Sequence, residues 1–307
     1  MKKVTFIIPA YNEEGNISEL YSQIQSVIKP LHKIMFEFLF VENGSTDNTF
    51  LEINKLKKID DSIKCIKLSR NFQMDGGIAA GLDYVDSDAA IIMTANLQDD
   101  PKVIPEFISK WEEGYSHVYG IVESRPGKGA LRKLNSKIFY KIINRLSDRL
   151  IPEGVSDYRL VDRQVISAVK KLTETNRFYR GFFAWVGFKS IGIKFNRQKR
   201  YSGKSHAKTI PVLSFAIRGL LSFSIKPLRI SILLTLFTST LSLIILFQQV
   251  YLWLKFGVPF DGFGTVIGIL LLFTSLIFLI FSIFGEYLGL VYQETKKRPH
   301  YIIEEVF

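Results

Sequence analysis

The first half of the chain alternates short apolar runs with segments of helical amphipathic pattern. The apolar runs have the length of strands and cover residues 3–9, 34–41, 63–69, 89–94 and 117–122. The helical patterns cover residues 14–28, 47–58, 75–86, 101–113 and 130–148. This alternation predicts an α/β domain in which a mainly parallel sheet carries helices on both faces.

The C-terminal region has a different pattern, with two long apolar runs. Residues 230–254 are 25 consecutive positions without a formal charge, and residues 262–285 are another 24. Because a helix of about 20 apolar residues crosses a bilayer, each run predicts a transmembrane helix. The alternative, two buried helices of a large soluble core, is disfavoured because core helices seldom run so far without a charge.

Charges around these runs predict their orientation in a membrane. The loop at 255–261 carries only Lys255 and Asp261. The outer flanks carry five basic residues: Lys226, Arg229, Lys296, Lys297 and Arg298. Since positive flanks stay inside, we expect a multi-pass protein of the cell (inner) membrane with the N-terminal domain and the C-terminus in the cytoplasm.

A basic and amphipathic stretch precedes the first apolar run. Seven basic residues and no acidic one fall between Lys189 and Lys208. Residues 208–228 then place apolar side chains at helical spacing, which predicts a helix in the interface of the lipid bilayer. The expected division is a cytosolic domain at 1–207, an interfacial segment at 208–228 and a two-helix anchor with its tail at 229–307.

Composition narrows the class of protein. The chain has 307 residues, 47% of them hydrophobic, and a formal net charge of +11. Intrinsic disorder is excluded by the apolar content, and a disulfide scaffold by the single cysteine, Cys65. A positive charge also suits nucleic acid, but a basic stretch leading into membrane helices favours lipid headgroups or a phosphorylated substrate. We therefore expect no nucleic-acid partner.

Polar clusters follow four of the predicted strands. They are Tyr11-Asn12-Glu13, Glu42-Asn43-Gly44-Ser45, Arg70-Asn71 and Asn96-Leu97-Gln98-Asp99. Because ligands bind beyond the carboxyl ends of parallel strands, these four turns predict one shared site. The chain contains no GxGxxG or GxxxxGK[ST] motif, which argues against dinucleotide binding of the Rossmann type and against P-loop hydrolysis.

The order of these clusters resembles the family-2 glycosyltransferases. The motifs that carry the resemblance are Pro9-Ala10-Tyr11-Asn12-Glu13-Glu14, Glu42-Asn43-Gly44-Ser45-Thr46-Asp47, Asn96-Leu97-Gln98-Asp99, Asp157-Tyr158-Arg159-Leu160 and Arg200-Tyr201-Ser202-Gly203-Lys204-Ser205. Together with the paired C-terminal helices, these motifs resemble those of the polyisoprenyl-phosphate glycosyltransferases, relatives of dolichol-phosphate mannose synthase and of bacterial undecaprenyl-phosphate glucosyltransferases.

The resemblance implies a GT-A-type fold and an inverting transfer of one sugar. The donor would be a UDP- or GDP-linked nucleotide sugar, and the acceptor a polyisoprenyl phosphate, undecaprenyl phosphate in particular, on the cytosolic membrane face. The product would supply cell-surface glycan modification. Holding two anions together is electrostatic work, which suits a divalent metal and arginine side chains.

The resemblance also implies roles for individual residues. Asp157 would be the catalytic base or would orient the lipid phosphate. The nucleotide sugar would contact Pro9, Tyr11, Glu13, Glu42, Asn43, Arg70 and Asn96. The acceptor or the diphosphate would contact Arg125, Arg132, Arg197, Arg200 and Ser205. The expected cofactor, Mg²⁺ or Mn²⁺, would be held by Asn96, Gln98 and Asp99.

Structural alternatives exist for some of these residues. Asp157 beside Arg159 could form a structural ion pair. Arg197 and Arg200 could be a solvated face or contact lipid headgroups. Small residues in the apolar runs could pack against another copy in a homo-oligomer.

The metal motif departs from the family pattern. The usual Asp-x-Asp is Thr94-Ala95-Asn96 here, and an amide oxygen brings no negative charge. The metal could be bound weakly through Asn96, Gln98 and the donor diphosphate. Alternatively, Arg125, Lys128 or Arg132 could replace it, or the donor site could have decayed. Decay motivates the alternative function, a catalytically silent binding or scaffold subunit.

Overall fold

The computed structural model describes residues 1–124, 154–175, 177–202, 226–257 and 263–307, and one eight-stranded sheet organises most of them. The strands are β1 Lys2–Ala10, β2 Ile34–Glu42, β3 Ile63–Leu68, β4 Ala89–Ile92, β5 His117–Ser124, β6 Val155–Asp162, β7 Ser190–Asn196 and β8 Ile303–Val306. The first five match the predicted strands.

Helices connect and cover these strands. They are α1 Ile17–Ile28, α2 Thr49–Lys57, α3 Gln73–Tyr84, α4 Ile104–Glu112, α5 Arg163–Lys170, α6 Tyr179–Trp185, α7 Lys226–Phe256 and α8 Phe263–Thr295. The helices predicted in the first 113 residues are confirmed. The helix predicted at 130–148 lies outside the described residues, as does most of the interfacial segment, since residues 203–225 are not described.

Most of the sheet runs in one direction, as predicted. The strand order is β7-β5-β6-β4-β1-β2-β3-β8. The pairs β1–β2, β1–β4, β2–β3 and β5–β7 are parallel. Only β6 and β8 run the other way among the described strands. Because β1 to β4 all run in the same direction, their carboxyl ends lie at the same edge of the sheet.

Alternation along the strands builds a core on each face of the sheet. Phe6 of β1 is fully buried with Phe107 of α4 on one face. Ile7, the next residue, is fully buried with Ile78 of α3 and Phe182 of α6 on the other. Because successive side chains of a strand point to opposite faces, β1 separates the two apolar layers.

The C-terminal residues return to the sheet as β8. The Phe307 N–H donates to the Cys65 carbonyl at 2.8 Å, and the Phe307 ring lies 4.9 Å from that of Phe50. The Tyr301 hydroxyl donates to Asp83 at 2.8 Å. We expected from the sequence only a tail here. The structure instead makes these residues an edge strand of the N-terminal domain.

The two long helices expose apolar side chains along their length. Within them, Leu233–Phe256 and Leu272–Thr295 are long and apolar enough to cross a membrane. At 1.5 Å per residue, α8 is about 50 Å long, which exceeds the ~30 Å hydrocarbon core of a bilayer. The predicted second span ended at 285, whereas α8 continues to Thr295 and the Glu294 carboxylate accepts from the Thr175 N–H at 2.8 Å.

Candidate active site

Loops at the carboxyl ends of β1, β2 and β3 contact one another, as the strand-end clusters predicted. The Asn12 N–H donates to the Ser45 hydroxyl at 3.0 Å, which joins the loops after β1 and β2. The Asn43 side chain accepts from the Phe72 N–H at 2.8 Å and donates to the Gln73 carbonyl at 2.7 Å. Asn43 therefore holds the loop after β3 with both ends of its amide.

Three residues other than glycine have a left-handed backbone near the strand ends, in the loops after β1 and β4 and at the start of α3. Their φ angles are 53° at Asn12, 64° at Gln73 and 56° at Leu97. Such backbone costs about 1–3 kcal/mol per residue and concentrates at functional sites. The loop after β2 uses Gly44 instead, where a Cβ would lie 2.4 Å from the Arg70 carbonyl carbon.

The other residues assigned to the nucleotide sugar lie around this edge. Pro9 and Glu42 are buried at the ends of their strands, and Tyr11 is half-buried. The Glu42 carboxylate accepts from the Ser45 N–H at 2.5 Å. Arg70 is exposed, with its guanidinium carbon 4.2 Å from the centre of the Phe72 ring.

A basic segment, defined here as residues 197–202 after β7, lies across the loops after β1 and β4. The Gln198 N–H donates to the Gln98 carbonyl at 3.1 Å, which fixes the segment to the loop after β4. The Arg200 guanidinium donates to Glu13 at 2.5 Å, and both side chains are largely buried. The structure thus places Arg200 against an acidic residue of the first loop.

Glu13 has further partners beside Arg200. Its carboxylate accepts from the Asn16 side chain, and its N–H donates to the Thr49 hydroxyl at 2.8 Å. Glu13 therefore links the start of α1, the start of α2 and the basic segment.

The loop after β4, where the metal motif was expected, is closed by internal hydrogen bonds. The Thr94 hydroxyl lies 2.6 Å from Asp99 Oδ2 and 2.9 Å from Asn96 Oδ1. Asn96 Oδ1 also accepts from the Gln98 N–H at 3.1 Å. The amide oxygen that would serve as a metal ligand is therefore already used by this loop.

Asp99 meets Arg197 at the same place. Asp99 is 1% exposed, and its Oδ1 lies 3.6 Å from Arg197 Nη2. Neither Asp99 Oδ1 nor Arg197 Nε has a hydrogen-bond partner among the described residues. The two groups form an ion pair that leaves hydrogen-bonding capacity on both sides.

The described residues at this edge do not fit a resident divalent metal. Mg²⁺ and Mn²⁺ prefer carboxylate oxygens, and no group of three or more His, Cys, Asp or Glu able to hold an ion occurs in the described part of the chain. Asp99 offers one remaining oxygen, which faces the Arg197 guanidinium. A divalent metal at Asp99 would therefore lie beside a guanidinium and have few oxygen ligands.

A second arginine–carboxylate group lies on β6 and α6. Arg180 donates to the two oxygens of Asp157 at 2.7 and 2.6 Å, a bidentate pair. Arg159 donates instead to the carbonyls of Ser156, at 2.6 Å, and Asp157, at 3.2 Å. The carboxylate of Asp157 is therefore hydrogen-bonded to Arg180, and not to Arg159 as the structural alternative supposed.

These contacts fix the protonation of the two nearby carboxyls. Burial by itself would raise the pKa of Asp157, but Arg180, with help from Arg159 and Arg197, lowers it to about 2. Burial, together with the charge of Asp157, raises the pKa of Asp75 to about 7. Asp157 is thus ionised at any physiological pH, whereas Asp75 titrates near neutrality.

Two residues of this group, Arg180 and Asp75, were not predicted. The run Arg177-Phe178-Tyr179-Arg180, with two arginines three positions apart among aromatic residues, was the signal available for Arg180. Asp75 had none beyond its place in the first turn of a predicted helix. The predicted residues Arg125, Arg132 and Ser205, and the alternative Lys128, lie outside the described residues.

Comparison with known proteins agrees with the resemblance seen in the motifs. Residues 5–169 match the model of the family described as "Glycosyl transferase family 2". A glycosyltransferase of Synechocystis sp. is 36% identical over 99% of this chain and 96% of its own length. The bactoprenol glucosyl transferase of Shigella phage SfX is 32% identical over 98% of this chain and 99% of its own length.

Solved structures share the fold. Glucosyl-3-phosphoglycerate synthase from Mycobacterium tuberculosis, in complex with Mn²⁺, UDP and phosphoglyceric acid, matches with a TM-score of 0.50 and 14% identity. The match covers 70% of this chain and 75% of the synthase. At this identity the likeness establishes a GT-A-type α/β fold.

Proposed function

The chain belongs to glycosyl transferase family 2, and from that premise we propose that it transfers one sugar to a polyisoprenyl phosphate at the cytosolic face of a membrane. The donor is a UDP- or GDP-linked sugar, and the acceptor is undecaprenyl phosphate. The product is a lipid-linked sugar for modification of a cell-surface glycan.

The full-length match to bactoprenol glucosyl transferases carries this proposal. The prophage homologue of Escherichia coli K12 is 32% identical over 99% of this chain and 99% of its own length, so the similarity extends through both apolar helices. A lipid acceptor explains why a sugar-transfer domain would be joined to a two-helix anchor. Glucose is therefore the first sugar to test.

The chemistry needs little proton transfer. A phosphate oxygen of the acceptor attacks the anomeric carbon, the bond from that carbon to the diphosphate oxygen breaks, and the nucleoside diphosphate leaves with inversion. A phosphate monoester loses its second proton near pH 6, so most acceptor molecules are already dianions at neutral pH. The larger requirement is to hold two anionic reactants in line and to stabilise the leaving diphosphate.

Asp157 suits positioning better than proton abstraction. A carboxylate with a pKa of about 2 is a weak base at neutral pH, because Arg180 stabilises its charged form. Its bidentate pair instead fixes the direction of the Arg180 guanidinium. We propose that Asp157 and Arg180 together orient the acceptor phosphate, while the loops after β1, β2 and β4 hold the nucleotide sugar.

The anchor brings the site to the lipid. In this proposal α7 and α8 cross the cell membrane, and the basic residues at their outer ends remain on the cytoplasmic side. The return of the C-terminus to the sheet as β8 supports this arrangement, since both outer ends must then lie on the side of the domain.

A transfer assay with the full-length purified chain in detergent tests the proposal. The acceptor is undecaprenyl phosphate, and the donors are radiolabelled UDP-, GDP- and CDP-sugars, each with Mn²⁺, with Mg²⁺ and with a chelator. We expect one donor to label the lipid extract. If the protein is folded and binds undecaprenyl phosphate but none of the donors labels the lipid, the proposal is wrong. The alternative, a catalytically silent binding subunit, then takes its place.

A further inference from the structure

We infer that Arg197 supplies the positive charge that neutralises the donor diphosphate, in place of a resident divalent metal. The inference deepens the proposed function and rests on it for the identity of the diphosphate ligand. It starts from the ion pair between Arg197 and Asp99 in the loop where a metal motif was expected.

The position of Arg197 is fixed by the backbone. The neighbouring Gln198 N–H donates to the Gln98 carbonyl at 3.1 Å, so the basic segment is fastened to the loop after β4. The guanidinium consequently lies beside Asp99, which is 1% exposed. A side chain held in this way is part of the strand-end site and not a solvated face.

The charges of the edge also favour a guanidinium. Among the described residues, two acidic side chains contact the basic segment, those of Glu13 and Asp99, and each already lies within 4 Å of an arginine nitrogen. Thr94 and Asn96, which lie beside Asp99, bring no charge. The carboxylates of Glu13 and Asp99 are therefore both opposed by a guanidinium already and offer a dication little attraction. The Nε–H of Arg197, without a partner among the described residues, can still donate to an anionic ligand such as a diphosphate.

The Arg197 guanidinium also has a hydrogen-bond donor that no described residue uses. A guanidinium has five N–H donors in a planar fork that matches phosphate oxygens. Arg197 Nε has no partner among the described residues, and its nearest contact to Asp99 is 3.6 Å, longer than a hydrogen bond. A buried donor without a partner costs free energy, which an anionic ligand would relieve.

Nucleotide binding tests the inference separately from sugar transfer. Calorimetry with UDP and with GDP is run on the full-length chain in detergent, with Mn²⁺ and with a chelator. We expect one nucleotide to bind with a Kd that the chelator changes less than about threefold. Arg197→Ala should weaken that binding at least about tenfold, since a charge-assisted hydrogen bond contributes about 1.5–3 kcal/mol.

Two variants control for folding and for charge. Arg197→Lys keeps the charge but not the fork, and we expect an intermediate loss of affinity at an unchanged melting temperature. Arg163→Ala removes an exposed arginine that pairs with Asp86, and it should bind like the wild type. A chelator effect above about threefold, wild-type affinity in Arg197→Ala, or binding of neither nucleotide overturns the inference.

Direct metal binding provides an independent readout. The electron paramagnetic resonance signal of Mn²⁺ should show no binding to the wild type without nucleotide. The double variant Thr94→Asp, Asn96→Asp adds two carboxylates beside Asp99 and should bind Mn²⁺. Micromolar Mn²⁺ binding by the wild type overturns the inference. If nucleotide binds without metal but no lipid is labelled, the inference stands and the proposed function fails.

Discussion

Two of the carboxylate–arginine pairs at the candidate site differ in how fully their hydrogen-bonding groups are satisfied. Asp157 and Arg180 form two hydrogen bonds of 2.7 and 2.6 Å. Asp99 and Arg197 approach only to 3.6 Å, although Asp99 is almost completely buried. The first pair is a closed unit, whereas the second retains a carboxylate oxygen and a guanidinium nitrogen without partners among the described residues.

The difference separates two uses of the same chemistry. A closed bidentate pair fixes a guanidinium in one direction and keeps the carboxylate ionised, which suits orientation of a second group. An open pair pays the cost of burial without full hydrogen bonding, and it gains most when an anion arrives. Removing the closed pair should therefore harm both stability and turnover, and removing the open pair should mainly harm ligand binding.

Breaking the closed pair is expected to have the largest effect. Asp157→Ala leaves Arg180 without its hydrogen-bonded carboxylate. The pair is partly buried, with side chains 27% and 23% exposed, so we expect the free energy of unfolding to fall by about 1–3 kcal/mol. We expect turnover to fall at least about 100-fold, since the acceptor-orienting group is lost. The measurements are lipid labelling and thermal unfolding of the full-length chain.

Asp157→Asn separates these two consequences. The amide keeps the size of the side chain and can accept one hydrogen bond from Arg180, so the variant should unfold closer to the wild type. Its turnover should remain low because the negative charge is gone. Wild-type turnover in Asp157→Asn would remove this carboxylate from the mechanism.

The helices and strands of the first half of the chain could be predicted because their apolar residues recur with the spacing typical of each element. The strands β1 to β4 read as apolar runs and their helices as amphipathic patterns, since each is buried on the faces that the pattern shows. β6 was missed because it carries Asp157 and a fully buried Arg159, which read as polar surface. β8 was missed because it has four residues and pairs with a strand more than 230 positions away.

The site was predicted in part for a similar reason. Convergence of the strand-end loops follows from parallel strands, so Glu13, Asn43 and Asp99 could be placed at one edge. Which arginine meets which carboxylate depends on where the chain returns after β7 and on the position of α6. No local pattern encodes those returns, and Arg180 was therefore not assigned to Asp157.

Asp75 should show the influence of the closed pair on a neighbouring carboxyl. Its pKa is raised to about 7 by burial and by the charge of Asp157, so the folded state prefers the protonated form. The associated stability is complete below the unfolded pKa near 4 and is lost as the pH rises through 7. Asp75→Asn is neutral at every pH and should avoid that loss.

The measurement is the melting temperature of the wild type and of Asp75→Asn between pH 4 and pH 9. We expect the variant to become more stable than the wild type as the pH rises to 7, by a free energy of unfolding of roughly 1 kcal/mol or more, seen as a higher melting temperature. Above pH 8 the difference should stay level. In an Asp157→Asn background the gain should shrink, because the repelling charge is absent. A gain that does not depend on pH would contradict this assignment.

The smallest effect is expected from a third pair, between Arg163 and Asp86, which has similar distances but no enclosure. Its nitrogen and oxygen lie 3.0 Å apart, with the side chains 60% and 92% exposed. Exposed pairs contribute about 0–1 kcal/mol, because water and salt screen both charges. Asp86→Ala should shift the melting temperature by no more than about 2 °C and leave lipid labelling unchanged.

The Arg163–Asp86 pair tests whether burial, and not hydrogen-bond length, determines how much each of the three pairs contributes to stability. Arg163 keeps its hydrogen bond to the Ser87 carbonyl at 3.1 Å when Asp86 is removed, so no buried donor is left without a partner. Repeating the comparison at about 0.5 M salt should erase the effect of Asp86→Ala and preserve most of that of Asp157→Ala, since burial limits screening. If the two variants lost stability equally at both salt concentrations, the burial of the Asp157–Arg180 pair would not explain its contribution to stability.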